Sequence, residues 1–378
     1  MQNMKISIIF IVVSLLILGG CQQHKSKGIE DSGINIKARL ENYQKEIVYS
    51  TLFDQVKYVK LEMSNESLIG IIAKIRVAEE RIFILDQRLR TLLAFSDTGK
   101  FLWKINKIGN GPGEYTEIID FDLKNDQLYL FDPNRNILEF DLSGNFIKSY
   151  PLKRFGTSMA VNDTFLYLYT CNYPTEEGKY QLLIMDDYGQ NSKIGVSVIP
   201  KNLIEVCKSF NSENAFCHFE DETRFFTPFS TKIYSIKRDS IFVKYNIDFG
   251  EFNIPENYFD NYTADDVAKS KYAYGLNAYW ETDAYFYFNI KVNENFQSVL
   301  YSKKEKKLTY GIFYDDLAFC FPSFSIVNNQ FAVGFRSADD LHAEYDNSKE
   351  KRKDTLLEKV VSEITPDDNP VIFLYHFK

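Results

Sequence analysis

Three glycines, Gly99, Gly144 and Gly189, stand 45 residues apart, each closing the same local pattern. The apolar run Arg81-Ile82-Phe83-Ile84-Leu85-Asp86 comes first, followed by Thr91-Leu92-Leu93-Ala94-Phe95-Ser96 and then the turn at Gly99. The pattern returns as Gln127-Leu128-Tyr129-Leu130-Phe131-Asp132 with Ile137-Leu138-Glu139-Phe140 and Gly144. It returns more loosely as Phe165-Leu166-Tyr167-Leu168 with Leu182-Leu183-Ile184-Met185 and Gly189. A fixed period in the 40s made of short strands predicts a β-propeller. Four antiparallel strands of this length cannot cover both of their own faces, so such units stack around an axis. The 32 Phe and 25 Tyr in 378 residues agree, because flat rings pack well on pleated sheets.

Weaker copies follow at residues 232–245, 285–312 and 331–375, which makes six units. The last lacks a fourth strand, while Val56-Lys57-Tyr58-Val59-Lys60-Leu61 near the N-terminus is an unclaimed one. The expected fold is therefore all-β: a six-bladed β-propeller of four-stranded antiparallel blades. The N-terminal strand closes the last blade and removes two exposed sheet edges. Two long stretches interrupt the repeat, at 251–281 and 337–369, and both carry helical patterns. In the first, Thr263 with Asp266 three residues on is a candidate capping box.

Residues 1–20 are expected to lie outside the fold. Lys5 precedes an apolar run from Ile6 to Leu18, a secretory signal too short to span a bilayer. Leu18-Gly19-Gly20-Cys21 resembles the lipobox of bacterial lipoproteins, in which the cysteine carries the lipid. Residues 21–46 are expected to be a flexible tether from a lipidated Cys21, and 47–378 the propeller. The location implied is the cell envelope, most simply the outer membrane, facing either the periplasm or the exterior. There Cys171, Cys207, Cys217 and Cys320 can stay reduced or pair, and the sequence does not choose a pairing.

The segment Ile108-Gly109-Asn110-Gly111-Pro112-Gly113-Glu114-Tyr115 resembles the G-x-G-P-G-E-[FY] segment of six-bladed propeller lipoproteins common in Bacteroides-type bacteria, relatives of NHL-repeat proteins. Asp132, Asn134-Arg135, Ile137, Phe140-Asp141, Gly144 and Phe146 are similar to the core of an NHL repeat. The resemblance implies a fold and a location; it implies no substrate.

Topology selects the face that matters. In a four-stranded antiparallel blade, the loop between the second and third strands and the link to the next blade leave on one face, and the remaining two turns leave on the other. The long insertions and the Gly109–Tyr115 segment all fall on the first face, where loops on a rigid scaffold usually bind. Candidate binding residues there are Arg88, Glu114, Tyr115, Arg135, Tyr279, Trp280 and Arg336. The arginines, with Arg90, suit a cationic rim for carboxylated ligands. The rings suit a sugar face or an apolar partner patch.

Catalytic constellations are thin. The chain has 4 His without zincin spacing, no nucleophile elbow and no C-x-x-C pair. Pro112 and the strand pattern that follows it exclude a dinucleotide loop at the glycines. A net charge of −8 argues against nucleic acid as a partner. The expected function is an envelope-anchored binding or scaffold lipoprotein with a protein or glycan partner and no cofactor. The alternative is a divalent-metal-dependent hydrolase or lyase of the lactonase type, with Ca²⁺ held in the propeller channel by carboxylates of several blades.

Overall fold

A computed structural model describes residues 29, 33–39, 43–134, 136–152, 154–171, 180–186, 191–197, 214–320, 323–348 and 355–378. The signal and lipobox, Cys21, Arg135, Cys207 and the Gly189 turn lie outside these residues.

Six antiparallel sheets follow one another along the chain. Blade 1 comprises Ile72–Ala78, Arg81–Asp86, Thr91–Ser96 and Phe101–Ile105. Blade 2 comprises Asp120–Lys124, Gln127–Asp132, Asn136–Asp141 and Phe146–Pro151, and blade 3 runs from Ser158–Asn162 to Asn191–Ser197. Blade 4 runs from Phe216–Phe219 to Ser240–Asp248, and blade 5 from Tyr274–Glu281 to Lys307–Tyr314. Blade 6 joins Ser323–Val327, Phe331–Arg336 and Val371–Phe377 to the N-terminal strand Phe53–Lys60. That strand pairs antiparallel with the last one, from Val371↔Lys60 to Phe377↔Phe53, so the ring closes as the unclaimed strand predicted.

The second strand of each early blade is apolar throughout because both of its faces are buried. Phe83 and Leu85 pack with Leu128, Leu130 and Phe140 of blade 2. Ile82 and Ile84, pointing the other way, pack with Val333 and Ile372 of blade 6. Blade 2 repeats this: Tyr129 and Phe131 face Val161, Leu166 and Leu168 of blade 3. The turn glycines are conformational requirements. Gly99 holds φ +86°, and a Cβ there would stand 2.0 Å from the Lys60 carbonyl oxygen across the closing seam.

The blades are not uniformly four-stranded. Ile34–Lys37 adds to the outer edge of blade 4 and Tyr43–Val48 to that of blade 5, both parallel to their neighbours. Two short segments of the expected tether, 34–37 and 43–46, therefore pair with the propeller. Ile36 and Ile47 are the anchoring side chains, each buried, and each contributes about 1.5–3 kcal/mol of apolar burial.

Both insertions leave on one face. The first is shorter than expected, spanning 249–273, because Tyr274–Glu281 is the inner strand of blade 5. Register shifts around Asn277 and φ +52° at Ala278 break the alternation that marks a strand. Its capping box forms as read: the Thr263 hydroxyl accepts from Asp266 N–H, and the Asp266 carboxylate accepts from Thr263 N–H. Phe259, Val267 and Tyr274 make a small core of their own with Phe229 and Tyr258. The second insertion holds helices Ala338–Ser348 and Leu356–Ser362. Leu341, Leu357 and Val360 bury against blade 6. The Tyr345 hydroxyl donates to Glu358 at 2.8 Å between the two helices.

Candidate functional site

The connections on the insertion-bearing face are held by buried aspartates that end the second strands. Asp86 and Asp132 occupy this position in blades 1 and 2. The Asp86 carboxylate accepts from the backbone of Gly70 (2.5 Å), Ile71 (3.3 Å) and Leu89 (2.9 Å), tying the link into blade 1 to the blade's own loop. Asp132 does the same in blade 2, accepting from Thr116 N–H and hydroxyl and from Asn134 N–H. Asn369, at the end of the second insertion, donates to Glu62 and Ser67 carbonyls and accepts from Ile69 N–H. These loops are fixed by the core beneath them.

Fixed loops here expose apolar side chains. Among the described residues, 13 large hydrophobic side chains are exposed. Eight lie in, or just beyond, inter-blade links and second-to-third-strand loops: Met63, Leu68, Ile71, Leu89, Ile108, Phe155, Tyr262 and Phe296. The other five lie on outer strands, and the described short turns of the opposite face expose none. Five of the eight, from Met63 to Ile108, sit on three connections around blade 1. Their backbones are contiguous. Ile71 and Leu89 share the Asp86 carboxylate, and the Tyr115 hydroxyl joins Arg90 carbonyl (2.8 Å) to Lys107 N–H (3.3 Å), next to Ile108. Arg88 and Arg90 are exposed within the same cluster.

Beside it opens a cleft of about 590 Å³ between the Gly109–Glu114 loop and the outer strands of blade 2. Its lining includes Asn110, Glu114, Asn134, Asn136, Lys148 and Ser149.

The channel is lined differently. Lys74 Nζ lies 2.6 Å from Asp120, and Arg76 Nε lies 3.4 Å from Asp122, both pairs one repeat apart between the inner strands of blades 1 and 2. Asp120 also accepts from Ser158 hydroxyl and Met159 N–H, and Asp122 from Val161 N–H and His218 Nε2 at 2.7 Å. Burial alone raises the Asp122 carboxyl, but its interaction with His218 and the cations of Arg76 and Lys74 outweigh it and hold the group far below the usual carboxylate range. Burial lowers Lys74, with Arg76 adding to the effect. Each carboxylate is committed to cations and backbone donors, so the cluster straps blades 1 to 4 together. Among the described residues no three His, Cys, Asp or Glu side chains converge in a way that holds a metal ion. The channel carboxylates lend the lactonase alternative no support.

The profile of a domain of unknown function (DUF4934) matches residues 32–376. The chain belongs to the DUF4934 family. Its fold is shared by a Bacteroides fragilis protein described as exported, at 17% identity and TM-score 0.72, covering 91% of this chain and 99% of the other. A member of the DUF4221 family from Bacteroides vulgatus aligns at 10% identity and TM-score 0.50, covering 86% and 97%. At these identities the likeness shows the fold alone. No curated protein matches the sequence. Among the described residues, no helix of this DUF4934 chain is long and apolar enough to cross a membrane.

The structure distributes the residues singled out from the sequence. Arg88 is exposed on the blade 1 loop, and Glu114 is exposed at the cleft with one carboxylate oxygen accepting from Gly111 N–H at 2.7 Å. Arg336 ends the second strand of blade 6 just before the second insertion, half-buried, with Nη2 3.9 Å from Asp340. Tyr115 is 1% exposed; burial pushes its hydroxyl up to about 12, and its ring pins the loop to the core. Tyr279 and Trp280 are 6% and 4% exposed and belong to blade 5, not to a surface patch. Tyr279 donates to Glu281 at 2.8 Å, and Trp280 stacks on Tyr287 at 5.1 Å. The aromatics of this region hold the insertion and the blade together. Cys171 and Cys320 are buried, and burial pushes the Cys217 thiol up to about 12, which makes it unreactive.

The sequence reading passed over two groups: the channel cluster of Lys74, Arg76, Asp120, Asp122 and His218, and the cleft residues Asn110, Asn136, Lys148 and Ser149. The first is marked by polar residues at alternate positions of first strands one period apart. The second carries no pattern, since its members come from a link and two strands.

Proposed function

We propose that this chain is a lipid-anchored envelope protein that binds a partner protein through the connections around blade 1. The observation that carries this reading is the set of exposed apolar side chains Leu68, Ile71, Leu89 and Ile108 on connections tied to one another through Asp86 and Tyr115, with the exposed Arg88 and Arg90 on the same loops. Exposed apolar clusters of this kind mark interaction sites. The chemistry it fits is an apolar protrusion bordered by carboxylates.

The described N-terminal residues support an orientation. Ile34–Lys37 runs parallel to Ser240–Asp248, entering from the end nearer the turn at Arg238, and Gly33 abuts Val243. A tether from Cys21 that continues this direction would meet the propeller on its short-turn side, with the loop-bearing face turned away from the membrane. Fold likeness to an exported Bacteroides protein agrees with an envelope location.

The test is site-specific photocrosslinking of the lipidated protein in its native envelope. Probes at Leu89 and Ile108 should give one discrete protein adduct, and probes at Glu80 and Asp126 on the short turns should give none. Equal adducts from both sets, or none from the first, would sink the reading.

A further inference from the structure

We propose that the cleft between the Gly109–Glu114 loop and blade 2 is a binding site for a short neutral saccharide, independent of the partner protein. The loop is not needed to connect blades: six residues, 152–157, join blade 2 to blade 3, whereas fourteen, 106–119, join blade 1 to blade 2. The surplus is built into a wall. Gly109 N–H donates to Tyr115 carbonyl (2.9 Å), Tyr115 N–H to Lys107 carbonyl (3.0 Å) and Glu114 N–H to Gly111 carbonyl (3.0 Å), and the Tyr115 ring is locked in the core. The opposite wall is held by Asp132 through Thr116 and Asn134. At about 590 Å³ the cleft falls within the range of roughly 300–1,000 Å³ typical of small-ligand sites.

Its open polar groups define the ligand. The side chains of Asn110, Asn136 and Ser149 make no hydrogen bond among the described residues, and Lys148 Nζ rests only over the Tyr150 ring, 4.6 Å from its centre. Glu114 keeps one carboxylate oxygen uncommitted. Amides and a hydroxyl present donors and acceptors side by side, as vicinal sugar hydroxyls do. Of the charged groups in the described lining, Asp132 is committed to Thr116 and Asn134, which leaves Lys148 and Glu114 open and opposite in charge, so the site favours neither an anion nor a cation. Leu138 and Phe146 supply an apolar floor for sugar C–H faces.

The experiment is calorimetric titration of the full lipidated chain in nanodiscs with maltotriose, cellotriose and N,N′-diacetylchitobiose, with digalacturonate as the charged comparator. At least one neutral probe should bind. Asn136→Ala should weaken it about tenfold, the scale of one or two lost hydrogen bonds. Ser149→Trp, on an exposed outer strand, should abolish binding while leaving the thermal midpoint unchanged. Binding by none of the neutral probes, binding indifferent to both variants, or preference for digalacturonate would each overturn the assignment. None of these outcomes bears on the crosslinks at Leu89, so the two readings fail separately.

Discussion

Blades 1 and 2 and blades 4 and 5 solve the same packing problem with different means. In the first pair the buried charges are spread along the repeat, Lys74 to Asp120 and Arg76 to Asp122, and among the described residues the outer edges carry no added strand. In the second pair the charges converge on one carboxylate. Glu281 accepts from Arg224 Nε (2.6 Å), Tyr245 hydroxyl (2.8 Å) and Tyr279 hydroxyl (2.8 Å), and lies 2.7 Å from Lys303 Nζ. The outer edges there are thickened by Ile34–Lys37 and Tyr43–Val48. The half that receives the N-terminal strands is reinforced, and the half that displays five of the eight exposed loop side chains is left unadorned. Reinforcement and display are thus separated around the ring.

Substitutions can break that contrast. The largest effect is expected for Glu281→Ala, which leaves the buried Arg224 guanidinium with Glu222 as its one remaining carboxylate partner among the described residues and should cost up to about 3–5 kcal/mol in urea unfolding. A loss below about 1 kcal/mol would mean that the hub is not what holds blades 4 and 5. Ile36→Ala should cost about 2 kcal/mol through lost burial at the added strand. If it costs nothing, the parallel strand is an ornament of the edge and the reinforcement claim fails.

Asp122→Asn should be milder, and it carries a pH signature. The folded carboxyl lies below its unfolded value, so its stabilisation is complete above about pH 4 and is lost as pH falls toward the folded value. The stability gap between the native protein and Asp122→Asn should therefore narrow below pH 4. A gap constant from pH 6 to pH 2.5 would contradict the strap between blades. The smallest stability effect, within about 0.5 kcal/mol, is expected for Leu89→Ser, because the side chain is exposed. The same change should remove the adduct formed by the probe at Ile108, which separates display from packing.

Legibility followed these two halves. In blades 1 and 2 the strands bury both faces, so they appear as unbroken apolar runs punctuated by glycine. Phe53–Lys60 was legible as the closing strand because only one blade lacked a partner. Ile34–Lys37 was not, since a four-residue strand with one buried isoleucine has the composition of a tether. Tyr274–Glu281 was read as insertion because its bulges interrupt the alternation, and Tyr279 and Trp280 were misplaced with it. Among the candidate site residues, Arg88 and Glu114 fall on the exposed loops expected of them. Tyr115 serves the loop from beneath.

Local chemistry in the chain specified the strands, the tight turns and the helix cap at Thr263, because burial on both faces and positive φ each demand particular residues at short range. The assembled molecule settled the rest: which loops share an aspartate, where the N-terminal strands dock, and which charges pair in the channel. Those outcomes join residues as distant as Ile34 and Tyr245, and Asp122 and His218. No local preference encodes such contacts; they form because the closed ring brings the groups within bonding distance and excludes water from around them.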